Sequence, residues 1–145
     1  ISRQLHPTIL EDLGLLRAIE SECNALMLRD ELIVNFKMNN VPEFISNTVS
    51  LCIYRVIQEG LNNIVHHSGV KVCDVSLSID QDIIFLTIKD EGIGFDPTEV
   101  RRKPGLGLSS MRERVLFVQG SFSVETGAGQ GTTIQVQIPF NRGQI

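Results

Sequence analysis

Residues 54–63 read Tyr54-Arg55-Val56-Ile57-Gln58-Glu59-Gly60-Leu61-Asn62-Asn63, and the helix they imply decides the fold. With its flanks the stretch predicts one long helix over 45–67. Val49, Ile53, Val56, Ile57, Leu61 and Ile64 recur at helical spacing on one broad face. Arg55, Glu59, Asn62, Asn63 and His66 share the opposite face. Ser68-Gly69 supplies the stop. An apolar stripe of this width has to be covered by another layer. The next residues supply that layer. Residues 70–79 alternate in part and residues 83–89 are almost continuously apolar, with Gln81-Asp82 as a tight hairpin between them.

Working outward, an upstream helix is predicted over 8–29, with Leu10, Leu13, Leu16, Ile19, Cys23 and Leu26 as its apolar positions. Thr8 reads as its N-cap, with Glu11 completing a capping box. Residues 32–38 are strand-like and Asn39-Asn40-Val41-Pro42 is a turn. Downstream, Asp90-Glu91-Gly92-Ile93-Gly94-Phe95 leaves a strand and enters a loop. Gly105-Leu106-Gly107-Leu108 then opens a third helix, with Met111, Val115 and Val118 apolar and Gly120 at its end. Strands are expected over 121–125 and 132–138. The order is helix, strand, helix, strand, strand, loop, helix, strand, strand. That is an α+β chain, with helices on one face of a mixed sheet.

Composition narrows the function classes. A chain of 145 residues is one domain by size. Its net charge of −4 argues against a general binder of nucleic acid or anionic membrane, which needs net basic surface. One Tyr, seven Phe and no Trp make a poor stacking platform for single strands. Cys23, Cys52 and Cys73 are odd in number and lack metal-ligand spacing, so free thiols are expected. No apolar run approaches the ~20 residues of a membrane span. The start, Ile1-Ser2-Arg3-Gln4-Leu5, is not a signal peptide. The expectation is an excised piece of a longer cytoplasmic protein, with any membrane anchor elsewhere.

Four constellations carry candidate chemistry. Glu59 and Asn63 stack at i and i+4 on one helix face, with Asn62 beside them. A carboxylate next to an amide oxygen suits a hard hydrated cation such as Mg²⁺. Asp90, with Gly92 and Gly94 beyond it, ends a buried strand, where a carboxylate can accept from an exocyclic amine and glycines admit a flat ligand. Gly105-Leu106-Gly107-Leu108 precedes a helix whose amides attract phosphate, yet it is neither a dinucleotide fingerprint nor a Walker A loop. Gly131-Thr132-Thr133 enters the last strand. Alone, each is equally a solvated helix face, a capped turn or ordinary strand chemistry.

Together and in this order they resemble the ATP-binding domain of sensor histidine kinases, within the superfamily that includes gyrase, MutL and the heat-shock chaperone ATPases. Residues 54–63 are similar to that family's N box, 90–95 to its G1 box, and 105–115 to its G2 box in the NarX-like form. Leu5-His6-Pro7-Thr8-Ile9-Leu10-Glu11-Asp12-Leu13-Gly14-Leu15 is similar to the junction between the dimerisation hairpin and the ATP domain. The resemblance covers residues 3–140. It implies a two-layer α/β sandwich of about five strands and three main helices. It also implies a division into a hairpin remnant, 1–7, and an ATP-binding domain, 8–145.

The resemblance further implies roles. Asp90 would accept from the adenine amino group, supported by Thr132 and Thr133. Asn63 would ligate Mg²⁺, assisted by Asn62, and Glu59 would polarise the attacking group. Gly92 and Gly94 would shape the base pocket and hinge a lid over about 95–106. Gly105, Leu106, Gly107 and Leu108 would present amides to the phosphates of ATP or ADP. Arg101, Arg102 and Lys103 in the lid, and Arg112 one helical turn in, are further phosphate candidates. The implied partners are the dimerisation and phosphoacceptor hairpin of the same kinase and a response regulator, with no nucleic acid and no membrane contact by this domain. Two positions depart from the family pattern. His66, followed by His67, stands where a Lys or Arg is usual, and an unperturbed imidazole is only partly charged at pH 7. The acceptor histidine is not found, since His6 precedes Pro7 and fits the junction instead. An anti-sigma-type serine kinase and a non-catalytic nucleotide-dependent module are the competing readings of the same fold.

Overall fold

The computed structural model describes residues 7–42, 44–94 and 107–140. Its elements are α1 (Thr8–Asp30), β1 (Ile33–Asn39), α2 (Asn47–Asn63), β2 (Val72–Asp80), β3 (Ile83–Asp90), α3 (Leu108–Phe117), β4 (Ser121–Thr126) and β5 (Thr132–Pro139). A single π-helical turn, Ile64–Ser68, extends α2.

The strands form one mixed sheet in the order β1-β2-β3-β5-β4. β1 runs parallel to β2, and every other pairing is antiparallel. Alternation sets the two faces. Cys73, Val75, Leu77 and Ile79 of β2 are buried, as are Ile84, Leu86 and Ile88 of β3 and Ile134, Val136 and Ile138 of β5. The opposite face is polar along the rung Asn35, Asp74, Lys89, Thr133 and Glu125. The inner face is covered by Ile53, Val56, Ile57 and Leu61 of α2, by Ile19 and Leu26 of α1, and by Met111 and Val115 of α3. The α+β expectation holds, with three helices over a five-stranded mixed sheet.

Several local expectations are corrected. Thr8 does not cap α1: Pro7 occupies the N-cap with extended backbone, and no side-chain cap forms. The upstream helix is not continuous, because Gly14 (φ 81°, ψ 174°) breaks it into two pieces. That break turns the apolar register, so Leu13 is exposed while Leu10 and Ala18 pack on Tyr54 of α2. α2 therefore buries two faces, one on the sheet and one on α1. It opens at Asn47, where the Ser46 hydroxyl accepts from Val49 N at 3.3 Å.

The β2–β3 hairpin is as predicted at Gln81-Asp82. Both residues have positive φ (49° and 63°), the signature of a two-residue turn that matches the twist of its strands. The three cysteines are free, and burial pushes the thiols of Cys23 and Cys52 up to about 11 and that of Cys73 to about 12. All three therefore stay protonated at neutral pH. Among the described residues, no helix is long and apolar enough to cross a membrane.

Candidate functional site

At one end of the sheet the inner-face rungs change character. Leu86, Val136 and Phe122 face one another across β3, β5 and β4, followed by Ile88, Ile134 and Val124. One step further, the same face carries Asp90, Thr132 and Thr126. The Thr126 and Thr132 hydroxyls share a hydrogen bond at 3.0 Å, and Thr126 Oγ1 donates to the Gly131 carbonyl at 3.2 Å. A small cleft opens here. It is bounded by Gly60, Asn63, Ile64 and Ser68 from the end of α2, Ile88, Asp90 and Gly94 from β3 and its exit, Leu108 from α3, and Val124, Thr132 and Ile134 from β4 and β5.

Asp90 is only 7% exposed. Burial raises its carboxyl above the ordinary range, and the Gly92 amide, donating to Oδ1 at 2.8 Å, pulls it part of the way back. A carboxylate kept dry at the end of an apolar wall is a directional acceptor. The apolar sides of Ile88, Ile134, Val124 and Leu108 suit a flat, weakly polar ring.

The segment after Asp90 is held from two sides. Ile93 N donates to the Ser68 carbonyl at 3.0 Å, and Gly129 N donates to the Ile93 carbonyl. Gly94 (φ 66°) lies so close to the Gly127 carbonyl that any side chain would collide with it. Only glycine satisfies both that torsion and that approach. The helix-end, strand-exit and β4–β5 loops thus meet around Asp90.

Asn63, in the last turn of α2, lines the cleft, and Glu59 lies one turn earlier on the same helix face. The Glu59 carboxylate lies directly against Gly107, the N-cap of α3 (φ 66°), and fills the place a Cβ there would take. Glu59 thereby brings negative charge to the positive end of a helix dipole.

The structure thus brings Asn63, Asp90, Gly94, Leu108 and Thr132 to one cleft, with Gly92 bonded to Asp90 and with Glu59 and Gly107 in contact beside it. It does not bring Thr133, which pairs with Lys89 and Glu125 on the opposite face of the sheet. Asn62 is exposed, one position round the helix from Asn63. Arg112 lies over the Phe122 ring at 5.2 Å, a cation–π contact rather than a phosphate arm. Phe95, Arg101, Arg102, Lys103, Gly105 and Leu106 lie outside the described residues. Sequence reasoning overlooked Gly60, which lies against Ile88, and Ser68, read only as a helix stop.

Residues 48–142 match the family described as histidine kinase-, DNA gyrase B-, and HSP90-like ATPase. The chain belongs to that family, and ATP is the substrate such a domain takes. It is 30% identical over 140 residues to the oxygen sensor histidine kinase NreB of Staphylococcus carnosus, covering 97% of this chain and 40% of that protein. It is 30% identical over 141 residues to the sensor histidine kinase MctS of Rhizobium johnstonii, covering 96% of this chain and 30% of that protein. The chain thus spans well under half the length of these relatives.

Among solved structures, the histidine kinase domain of the Erythrobacter litoralis EL346 blue-light activated kinase superposes with a TM-score of 0.69 at 21% identity, over 88% of this chain and 63% of that one. The Acinetobacter baumannii histidine kinase AdeS gives 0.71 at 16%, over 93% and 74%. At these identities the structural likeness is one of fold.

Proposed function

We propose that this chain is the ATP-binding part of a NarX-like sensor histidine kinase, which in the full-length protein passes the γ-phosphoryl group of ATP to a histidine on a dimerisation hairpin. One observation carries the reading. A buried carboxylate, Asp90, and an amide, Asn63, come from different elements to line one largely apolar cleft. In this reading Asp90 accepts from the adenine amino group, with Thr132 beside it, and the base lies against Ile88 and Ile134. Asn63 brings an amide to the lining, with Glu59 one helical turn away. That donor set fits Mg²⁺, which keeps most of its waters and takes its remaining ligands from phosphate. Bound there, Mg²⁺ would neutralise phosphate charge. Asn63 would hold it, and Glu59 would orient the attacking group. The amides that open α3 at Gly107 and Leu108 would face the phosphates. Phosphoryl transfer asks for positioning and charge neutralisation more than covalent help.

The response regulator, the hairpin and a cytoplasmic setting belong to this proposal, as does the division at residue 8. The sequence of the family junction at 5–15 favours a histidine kinase over an anti-sigma-type serine kinase.

The test has two arms. ATP should bind more tightly with Mg²⁺ than without, and Asn63→Ala should remove that difference, about tenfold, leaving Mg²⁺-free binding in place. Metal dependence that survives Asn63→Ala would refute the assigned ligand. Supplying the hairpin in trans should then yield an acid-labile phosphohistidine. A phosphoserine product, or no product despite ATP binding, would replace the kinase reading with a competing one.

A further inference from the structure

Ser68 lines the cleft, but its hydroxyl faces its own chain. It donates to the Ile64 carbonyl at 2.7 Å and accepts from Val70 N at 3.2 Å. The hydroxyl's only proton is therefore committed, and one of its two lone pairs as well. The residue is 5% exposed. Its backbone carbonyl receives Ile93 N at 3.0 Å, and the same carbonyl lies where a Cβ on Gly92 would have to go. Gly92 is the residue whose amide bonds Asp90 Oδ1. One short path thus runs from the wide turn at the end of α2, through Ser68, to the buried carboxylate.

The π geometry of residues 64–68 explains why this path needs a fastening. A wide turn is uncommon in helices and tends to occur at functional sites. Here it sits between the regular helix that carries Asn63 and the αL residue Gly69 (φ 80°). The Ser68 hydroxyl bonds across it, joining the start of the turn at Ile64 to the chain beyond it at Val70. With the turn fixed, the Ser68 carbonyl has one position, and so do the Ile93 amide and the segment that orients Asp90.

We infer that Ser68 is a positioning residue for Asp90: its hydroxyl locks the π turn so that the Ser68 carbonyl holds the Gly92–Ile93 backbone, and through it the carboxylate, in register with the cleft. This rests on the reading of Asp90 as the base acceptor, and it extends that reading to a residue that touches no ligand.

The experiment reads two properties of the same proteins. In nucleotide-free protein, Ser68→Ala should lower hydrogen-exchange protection at Ile93 by about tenfold, the loss expected for one buried hydrogen bond, leaving amides at Leu86 and Val136 unchanged. In nucleotide titrations it should weaken ADP by a similar factor and reduce the preference for ADP over GDP. Ser68→Thr, which keeps the hydroxyl, should retain both. Gly92→Ala, whose Cβ would press on Asp90 Oδ1 as well as on the Ser68 carbonyl, should weaken ADP more than Ser68→Ala does. Ser68→Cys, which keeps the shape of the side chain but replaces the hydroxyl with a weak donor, should lose Ile93 protection and ADP affinity in the same sense and carries the test should Ser68→Ala fail to fold.

Unchanged Ile93 protection, or wild-type ADP affinity and selectivity in Ser68→Ala, would overturn the inference. If the wild type failed to bind ADP while Ser68→Ala still exposed Ile93, the nucleotide reading would fall and the structural linkage would stand.

Discussion

Two stretches of one sheet face, two rungs apart, behave in opposite ways. The rung Leu86–Val136–Phe122 is apolar across all three strands and buried under the helices. The rung Asp90–Thr132–Thr126 lies on the same strands and the same face, yet it ends in a carboxylate that is 7% exposed. The first rung stabilises the fold, since each fully buried Leu or Val contributes about 1.5–3 kcal/mol. The second costs stability, because desolvation disfavours the charged form of Asp90 and one amide bond offsets only part of it. Under the proposed function, the rung that weakens the fold is the one that serves the nucleotide.

The contrast breaks most readily at the apolar rung. Leu86→Ala should cost about 3–4 kcal/mol in denaturant unfolding, by lost burial plus the cavity left behind. Its ADP affinity, measured well below the unfolding transition, should stay near wild type. A Leu86→Ala protein that is fully stable would mean the rung is not the support described here.

Gly94→Ala should come next. Its Cβ would meet the Gly127 carbonyl in a left-handed conformation, so a loss of about 2 kcal/mol is expected. Unlike Leu86→Ala, it should weaken ADP at least as strongly as it weakens the fold. Equal ADP affinity would separate this loop from the cleft.

The polar rung has a pH signature. A carboxyl whose folded pKa is raised contributes stability below its unfolded value, near 3.8, and that contribution is lost as pH rises through the folded value. At neutral pH Asp90 therefore weighs against the fold. Asp90→Asn should leave the unfolding midpoint at pH 7 unchanged or higher, with the difference from wild type vanishing towards pH 3. In the opposite sense, ADP affinity of the wild type should fall as acid protonates Asp90. A midpoint that drops in Asp90→Asn at pH 7 would assign the carboxylate a structural role.

The smallest effect belongs at the far end of the hairpin. Asp82 sits at φ 63°, so Asp82→Gly should gain under about 1 kcal/mol and leave the cleft untouched.

Much of this was legible in the sequence, for physical reasons. Periodicity located every helix and strand because the sheet has one buried face and the helices cover it. Asn63, Asp90, Gly94, Leu108 and Thr132 each stand at the end of an element, where such motifs are read, and the fold gathers those ends at one place. What periodicity cannot show is a change of helical register. The Gly14 break and the π turn at 64–68 both alter which residues share a face; a glycine inside a helical pattern marks a weak point without saying that the helix breaks there, and the π turn has no composition signature. Thr133 was readable and misread: neighbours in a strand point to opposite faces, so Thr132 and Thr133 cannot both serve one cleft. Ser68 was visible as a helix stop, but its carbonyl acts on Ile93, 25 positions away, and no local pattern encodes that contact.

Under the proposed function, the buried Asp90 carboxylate serves a purine amine. Isothermal titration of ADP into wild type and Asp90→Asn, with both proteins shown folded by thermal melts, tests it directly. Wild-type binding should be measurable and should fall about a hundredfold in Asp90→Asn, as expected for losing a charge-assisted hydrogen bond in a dry site. Wild-type protein that takes up no ADP, or an Asp90→Asn protein that binds it equally well, would contradict it.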